Sequence, residues 1–306
     1  MKKIYGFMAA AVLAAGLTGC GTGDDPVSLS NVSRTMLNHI APINGVDDVV
    51  VSKGEYYMQF DNVKKLVSVS SKSIRYDNTD HSFSTTSMTF KAGAYNVGGY
   101  IGQVFRWQSA EGNVAATGSV PVTGFKGLMT DVFYFNNMLD VPVLGPMLDT
   151  RLSRTVLSYN YNNLYKITTF YPDMMFSGET STTASATAEP FKTSAPQYRV
   201  VIDWEKKKAS MVIYQAQFDP HMPAMTALLL QNLDVEWTRS GYTITGENVT
   251  AGSVENGSVT PVPGFPFTEI KMTTTSADMT EATVEYTVAG RFHGLFKGSY
   301  VWIPQD

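Results

Sequence analysis

Short stretches of alternating apolar and polar residues recur along most of the chain, and this period of two is typical of antiparallel β-strands. The pattern is clearest at residues 198–203, which predict a strand, and at 209–218, which predict its returning partner. Between them, Glu-Lys-Lys at 205–207 predicts the turn. Met211, Ile213 and Ala216 are assigned to one face of the returning strand.

Further hairpins follow the same pattern. Residues 228–237 and 242–245 flank Ser240-Gly241, a pair that favours a tight turn. Segments 283–288 and 295–303 are again rich in β-branched and aromatic residues, and they predict the last strands. Residues 30–40 differ, because apolar side chains at positions 32, 36, 37 and 40 predict a short amphipathic helix with a cap at position 30 or 31.

The sequence repeats itself at a shift of 142 positions. Eight residues between 56 and 100 are identical to their counterparts between 198 and 242, over about 45 aligned positions where composition predicts roughly three identities. A second match pairs residues 118–125 with 257–265. We therefore predict a tandem duplication, with a first module at 27–165 and a second at 166–306.

The first residues predict export and lipid attachment. An uncharged apolar run at 4–17 follows two lysines and ends in Leu17-Thr18-Gly19-Cys20. This ending resembles the lipobox of bacterial lipoproteins, which implies a signal peptide at 1–19 and a membrane anchor through lipid on Cys20. An ordinary signal peptide that contains a cysteine is the alternative. Cys20 is the only cysteine, so no internal disulfide can form.

Residues 20–26 are predicted to form an acidic tether. Asp24-Asp25 in this tether resembles the surface-export signal of lipoproteins in the Bacteroidota, which implies a protein anchored in the outer membrane and exposed on the cell surface. The alternative is a solvated linker that contains no localisation signal.

The predicted fold class is all-β, with two tandem related antiparallel β-barrel or β-sandwich modules behind the lipoprotein signal peptide. Seven or eight strands per module, the count that the pattern indicates, suit either architecture. Gly178-Glu179-Thr180, the 228–233 strand and Gly241-Tyr242 resemble the calycin-like or lipocalin-like lipoproteins of Bacteroidota. This resemblance implies β-barrels and says almost nothing about the ligand.

Composition narrows the range of partners. Charged residues make up 16% of the chain and the net charge is −4. The largest basic cluster is Lys206-Lys207-Lys208, at a predicted turn. Nucleic acid is not expected as a partner, because phosphate binding requires a concentrated positive surface.

Candidate chemistry is sparse. The four histidines are His39, His81, His221 and His293. His81 and His221 each follow an aspartate at nearly equivalent places in the two modules, but further metal ligands are not evident nearby, so we interpret both sites as solvated loops and predict no metal and no cofactor. No nucleophile elbow or phosphate-binding loop is present, and an enzyme is not expected. A pair of carboxylates for glycan cleavage remains a lesser alternative.

An apolar insertion is the sharpest local feature. The first module has about ten more residues than the second at positions 136–148, and seven of these are Met, Leu or Val. Pro142 and Pro146 exclude a regular strand or a long helix there. The insertion either caps a module, packs between the modules or contacts a partner. Its candidate contact residues are Leu139, Val143, Leu144 and Leu148.

These observations favour a membrane-anchored, non-enzymatic binding or adhesion module with an unknown protein or glycan ligand. Aromatic faces on such a module suit sugar rings or apolar ligands, although core filling explains most aromatic residues. The alternative is a structural subunit of a surface appendage of the fimbrial type, for which Arg151 and Arg154 beside the insertion are possible processing sites.

Overall fold

The computed structural model describes two sets of β-strands. The described backbone comprises residues 31–43, 48–61, 66–71, 75–77, 82–84, 88–100, 102–108, 115–116, 122–133, 151–161, 163–185, 187–255, 258–274 and 279–300. Side chains are described for residues 35–43, 48–55, 123 and 156–300, apart from the backbone gaps in these ranges. The described residues contain strands and turns and no helix.

The first sheet is an eight-stranded closed barrel. Its strands are β1 (Asn31–Pro42), β2 (Val50–Asp61), β3 (Leu66–Ser71), β6 (Met88–Tyr100), β7 (Gly102–Gln108), β9 (Val122–Phe133), β10 (Arg151–Tyr161) and β11 (Tyr165–Phe170). Each pairs with its neighbour in this order, β3 pairs with β6, and β11 pairs with β1 to close the ring. A short strand, β8 (Ala115–Ala116), pairs with β6, and β4 (Arg75–Asp77) pairs with β5 (Ser82–Ser84) in a separate hairpin.

The second sheet closes in the same way. Its strands are β12 (Asp173–Thr183), β13 (Phe191–Thr193), β14 (Gln197–Asp203), β15 (Lys208–Ala216), β16 (Met225–Thr238), β17 (Gly241–Gly246), β18 (Val249–Glu255), β19 (Ser258–Thr274), β20 (Glu281–Val288) and β21 (Phe292–Tyr300). Strands β17 and β18 both lie between β16 and β19. Strand β17 pairs with these two strands along one part of their length, and β18 pairs with them along another part. Pairing of β12 with β21 closes the ring, and β13 adds a short edge to β12.

The all-β prediction is confirmed, and the choice between sandwich and barrel is settled in favour of the barrel. The hairpins predicted around 205–207 and 240–241 are β14–β15 and β16–β17. Both barrels are meanders with the same order of strands. The chain passes from the first barrel to the second at Tyr171-Pro172, after β11, whereas the repeat placed the border at 165/166. Descent of the two barrels from a duplication stays a prediction.

The predicted helix at 30–40 is wrong, because these residues form strand β1. Met36 and Ile40 are buried on one face of β1, and Leu37 and His39 are buried on the other. A strand that is buried on both faces has no alternation of apolar and polar residues. Without that alternation, the spacing of the apolar residues in 30–40 resembled the spacing in an amphipathic helix.

Side chains fill the interior of the second barrel. Interior positions from all the main strands form one continuous cluster in which most members are completely buried. The rings of Tyr198 and Phe296 stack with centroids 4.1 Å apart, and the hydroxyls of Tyr198 and Tyr286 lie 2.8 Å apart. Burial raises the pKa of Tyr198 to about 12, so this hydroxyl keeps its proton and can donate within the core. The interior of the second barrel is thus a packed core.

The outer face of the second barrel has two unlike halves. Across β12, β14, β15 and β16, strand pairing places Met175, Arg199, Val212 and Leu229 in one row, and all four are buried. Met175, Val212 and Leu229 belong to a small apolar cluster with Val254, and Val259 packs against this cluster, so part of the β18–β19 hairpin contributes to the burial of the row. On β20 and β21 the outward residues are instead mostly polar, and many of them are exposed.

The two barrels meet at one end of the second barrel. Leu37, Val156 and Phe170 of the first barrel join the interior cluster of the second. The ring of Phe170 lies 6.1 Å from that of Trp237 and 6.4 Å from that of Tyr242, measured between centroids. At the edge of this seam, Lys53 of the first barrel forms an ion pair with Glu205 of the second, at 2.7 Å. The apolar contacts at the seam account for most of its stabilisation, because an exposed ion pair contributes little.

A buried histidine belongs to the same seam. The Nε2 atom of His39 lies 2.7 Å from the backbone oxygen of Thr238, and its ring centroid is 6.2 Å from that of Trp237. Because a carbonyl oxygen only accepts, Nε2 carries the proton in this contact. Burial lowers the pKa of His39 below its ordinary value of 6.5, since the charged ring would lose hydration.

The seam should therefore weaken in acid. Below the ordinary value of 6.5 the unfolded chain binds a proton at His39 more readily than the folded chain does, so the free energy of unfolding should fall as the pH decreases through this value. Above it, this loss is absent. A His39→Gln variant keeps an N–H donor without the titration, and its stability should depend less on pH. Urea unfolding at pH 7.5 and pH 5.5 checks this, and equal pH dependence of both proteins would contradict it.

Candidate functional site

A cleft of about 600 Å³ lies on the polar half of the outer face of the second barrel. It runs across β12, β19, β20 and β21, and its outward-facing lining residues are Ser181, Thr183, Glu269, Glu285, Thr287, His293 and Leu295. The inward-facing Tyr286 and Gly294 complete the lining. Because Thr183 pairs with His293 at the far end of β12 from Asp173, the cleft lies toward the end of the barrel that is remote from the seam.

The alternation of the strands explains most of this lining. On β20, Val284 and Tyr286 point into the barrel, so Glu285 and Thr287 point outward. In the β20–β21 hairpin, Thr287 pairs with His293. These cross-strand neighbours lie about 5 Å apart at Cβ, close enough for side-chain contact.

Glu269 enters the cleft through a β-bulge. The register between β19 and β20 shifts between Thr268 and Lys271, so that one extra residue of β19 lies opposite β20. Glu269 has a φ of 54°, in the left-handed region that residues other than glycine rarely adopt. A bulge of this kind redirects a side chain, and here the Glu269 carboxylate reaches the Thr287 hydroxyl.

A hydrogen-bond chain joins three side chains of the cleft. The Thr287 hydroxyl, on a residue only 6% exposed, donates to Oε2 of Glu269 at 2.9 Å and lies 3.0 Å from Nδ1 of His293. The hydroxyl has a single proton, and its hydrogen bond goes to the carboxylate, because a carboxylate oxygen can only accept. His293 Nδ1 must then donate to the threonine oxygen. In the neutral ring this leaves Nε2 with a free lone pair, as an acceptor.

This order of groups does not suit nucleophilic catalysis. In a catalytic triad the acid binds the histidine, which in turn removes the proton of the nucleophile. Here Glu269 binds Thr287 instead, and His293 donates to the hydroxyl that it would have to deprotonate. The described part of the chain also contains no group of three or more His, Cys, Asp or Glu side chains placed to hold a metal ion. The arrangement can fix a ligand by hydrogen bonds and charge.

Most of the residues predicted from sequence lie elsewhere. Cys20, the tether and the insertion residues Leu139, Val143, Leu144 and Leu148 lie outside the described residues, as does His81. The exposed His221 is in the β15–β16 loop, where its backbone N–H donates to the carboxylate of Asp219 at 2.9 Å. This is the loop role that the sequence predicted.

The described tryptophans do not offer a free aromatic face at the cleft. Trp204 and Trp237 pack against the interior cluster of the second barrel, and Trp237 also contacts the first barrel. Sequence reasoning did not single out Glu269, Glu285 or Thr287. The alternation in 283–288 was the available signal for Glu285 and Thr287, whereas the bulge that turns Glu269 leaves no such signal.

Comparisons with known proteins do not assign the chain to a family. No protein-family model matches it, and no curated protein matches it. Among solved structures, a mutant of transferrin-binding protein B from Haemophilus parasuis aligns over 89% of this chain and 76% of its own, with 7% identity and a TM-score of 0.25. Isotype 1 transferrin-binding protein B from serogroup B Neisseria meningitidis aligns over 89% and 77%, with 8% identity and the same TM-score of 0.25. Likeness at this level carries no argument, so the barrels rest on their strand pairings.

Within the residues that the structure describes, no helix has the length and apolar character needed to cross a bilayer.

Proposed function

We propose that this chain is a lipid-anchored lipoprotein of the cell surface whose second barrel is a non-enzymatic binding module, with the outer-face cleft as its ligand site. The cleft is the observation that carries the proposal, because it is a concave site with several fixed polar groups. The ligand is an unidentified protein or glycan. The anchor at Cys20 and the position in the outer membrane rest on the sequence.

The packing of the second barrel supports a ligand on the outside. Its interior is occupied by large side chains such as Tyr198, Phe176 and Tyr242, all completely buried. A lipocalin-like mode, in which a small molecule enters the barrel, therefore has no support in the second barrel. The resemblance to calycin-like lipoproteins of Bacteroidota concerns the scaffold only.

Blocking the cleft tests the proposal. A Ser181→Trp variant places an indole over the lining, and binding of the full chain to printed arrays of glycans and peptides should fall to background. The matched control is Thr260→Trp, because Thr260 is exposed in the β18–β19 hairpin, nine residues along β19 from Glu269 and outside the cleft. Equal array binding by the Ser181→Trp variant and the unmodified chain would place the ligand site elsewhere.

The anchor has a separate test. A Cys20→Ala chain lacks the thiol that accepts the lipid, so it should remain an unlipidated precursor and lose labelling by a radioactive fatty acid. Fractionation of cells into membrane and soluble pools measures the consequence. Unchanged lipid labelling after the substitution would contradict the lipoprotein assignment.

Two further parts of the proposal concern the insertion and the alternative function. Leu139, Val143, Leu144 and Leu148 remain proposed contact residues, for the mouth of the first barrel, for the seam or for a partner. A polymerising subunit has less support, because it needs a strand that can be exchanged, and β21 pairs with β12 as well as β20. Arg151 and Arg154 lie within β10, paired with β9, where a processing protease has poor access.

A further inference from the structure

We propose that the outer-face cleft binds an organic ammonium group, a cation that carries N–H donors. This inference rests on the proposed function, because it names the ligand chemistry of the same cleft.

The first argument is the balance of hydrogen-bonding groups. Glu269 and Glu285 contribute carboxylate oxygens, which only accept, and His293 contributes an Nε2 that accepts when the ring is neutral. The Thr287 hydroxyl uses its single proton on Glu269. The hydroxyls of Ser181 and Thr183 are then the lining side-chain groups that can still donate. A cleft so rich in acceptors requires a ligand rich in donors.

The second argument is charge. Two carboxylates line the cleft, and neither lysine nor arginine does. Lys271 lies opposite Glu285 by strand pairing, but no ion pair joins these two described residues. A phosphate, sulfate or carboxylate in the cleft would meet two like charges at short range, whereas a cation would be attracted by both. Charge-assisted hydrogen bonds to such a cation are about twice as strong as neutral ones.

The third argument separates a cation from a neutral sugar. Sugar rings stack on exposed aromatic faces, and the one aromatic residue in the lining, Tyr286, is almost completely buried. Tyr286 occupies the space beside Gly294, where any larger residue would collide with its ring. The apolar contribution to the cleft comes from Leu295, which suits the methylene groups of an amine or of a lysine side chain.

Two sources supply this chemistry, namely a free amine or a basic side chain on a partner protein. The test uses the full-length lipidated chain in nanodiscs of neutral lipid, with empty nanodiscs as the blank. Ligand-observed NMR titrations measure four probes in two matched pairs. Glucosamine is compared with N-acetylglucosamine, and a Gly-Lys-Gly peptide is compared with the same peptide bearing an acetylated lysine amine. Acetylation removes the charge and two N–H donors from the amine in each pair, and it adds one neutral acetyl group.

The expected result is binding of at least one charged probe, with no saturable binding of its acetylated counterpart. Glu269→Gln and Glu285→Gln should each weaken that binding about tenfold or more, because each removes one charge-assisted contact. Glu236→Gln, at an exposed position on β16, is the control and should bind as the unmodified chain does. A glutamine at 269 still accepts from Thr287, and an unchanged melting temperature verifies that the fold is intact.

The four probes and the glutamine variants distinguish the possible outcomes. Binding of glucosamine points to small amines, and binding of the peptide alone points to a basic segment of a protein. Equal binding of charged and acetylated probes, or binding that both glutamine variants leave unchanged, would overturn the inference, as would failure of both charged probes to bind. If Ser181→Trp still abolishes array binding in those cases, the proposed function stands and only the cationic ligand is wrong.

Discussion

A Gly178→Ala variant is expected to lose a large part of the stability of the second barrel. Gly178 of β12 lies directly opposite Gly298 of β21, the strand pair that closes the ring. A Cβ atom at Gly178 would come within 2.1 Å of the Lys297 carbonyl oxygen and 2.4 Å of the Gly298 Cα. Both are backbone atoms of β21, the strand paired with β12, so they cannot move aside without separating the two strands. We expect a loss of about 3 kcal/mol or more, which exceeds the usual cost of overpacking a side chain.

The matched control for this variant is Gly264→Ala on β19. An added Cβ at Gly264 meets no atom within 4 Å, so the substitution should change stability by less than about 0.5 kcal/mol. Differential scanning calorimetry measures both variants. A drop in Tm of roughly 6 °C or more for Gly178→Ala follows from about 2–4 °C per kcal/mol in a domain of this size. Equal melting of both alanine variants would contradict the close approach of β12 and β21.

The local elements of the second barrel were predictable where a turn is polar or where one face of a strand is exposed to solvent. The 205–207 turn and the 240–241 turn were found in the sequence, and both connect neighbouring strands. In β20, residues such as Glu281 and Glu285 alternate with buried Ala282 and Val284, so the period of two is preserved. Hairpins of this kind depend on local sequence, and local sequence contains the signal.

Long-range features could not be found in this way. The strand β1 contacts the second barrel on one face and its own barrel on the other, so its sequence lacks the alternation that identifies a strand. The choice of barrel over sandwich depends on the pairing of β12 with β21. The small residues Gly178 and Gly298 permit that pairing, but the sequence alone does not show which strand a glycine will approach.

The candidate site is predictable in part for the same reason. Once 283–288 is recognised as a strand with Val284 and Val288 inward, Glu285 and Thr287 must face outward, and a tight hairpin places His293 beside Thr287. Glu269 is different, because a regular strand would not bring its carboxylate to Thr287. The β-bulge, in which Glu269 has a φ of 54°, brings the carboxylate there, and the local sequence does not predict this bulge.

The cleft is lined by residues of the second barrel alone, away from the contact with the first barrel. The seam lies at one end of the second barrel, near Trp237 and Met174, and the cleft lies toward the other end, near Thr183 and His293.

Asp173→Ala is expected to destabilise the protein more than Arg199→Met does, although the two residues form one ion pair. The guanidinium of Arg199 donates from Nε to Oδ1 of Asp173 at 2.8 Å and from Nη2 to Oδ2 at 2.5 Å. The side chain of Arg199 is 2% exposed and that of Asp173 is 15% exposed. Burial alone would lower the pKa of Arg199, but the contact with Asp173 raises it above its ordinary value. The guanidinium therefore stays protonated and charged in the folded protein.

Removal of Asp173 therefore leaves a buried cation without its carboxylate, and we expect a loss of about 3–5 kcal/mol. Arg199→Met instead leaves a carboxylate with some access to water and places an apolar side chain beside Met175 and Val212, its neighbours across the sheet, so the loss should be smaller. The control is Asp234→Ala, which breaks the exposed ion pair of Lys208 and Asp234 and should cost less than about 1 kcal/mol. Urea unfolding at pH 7 ranks the three variants. An Arg199→Met loss equal to that of Asp173→Ala would mean that the two charges are equally exposed to solvent, contrary to the structure.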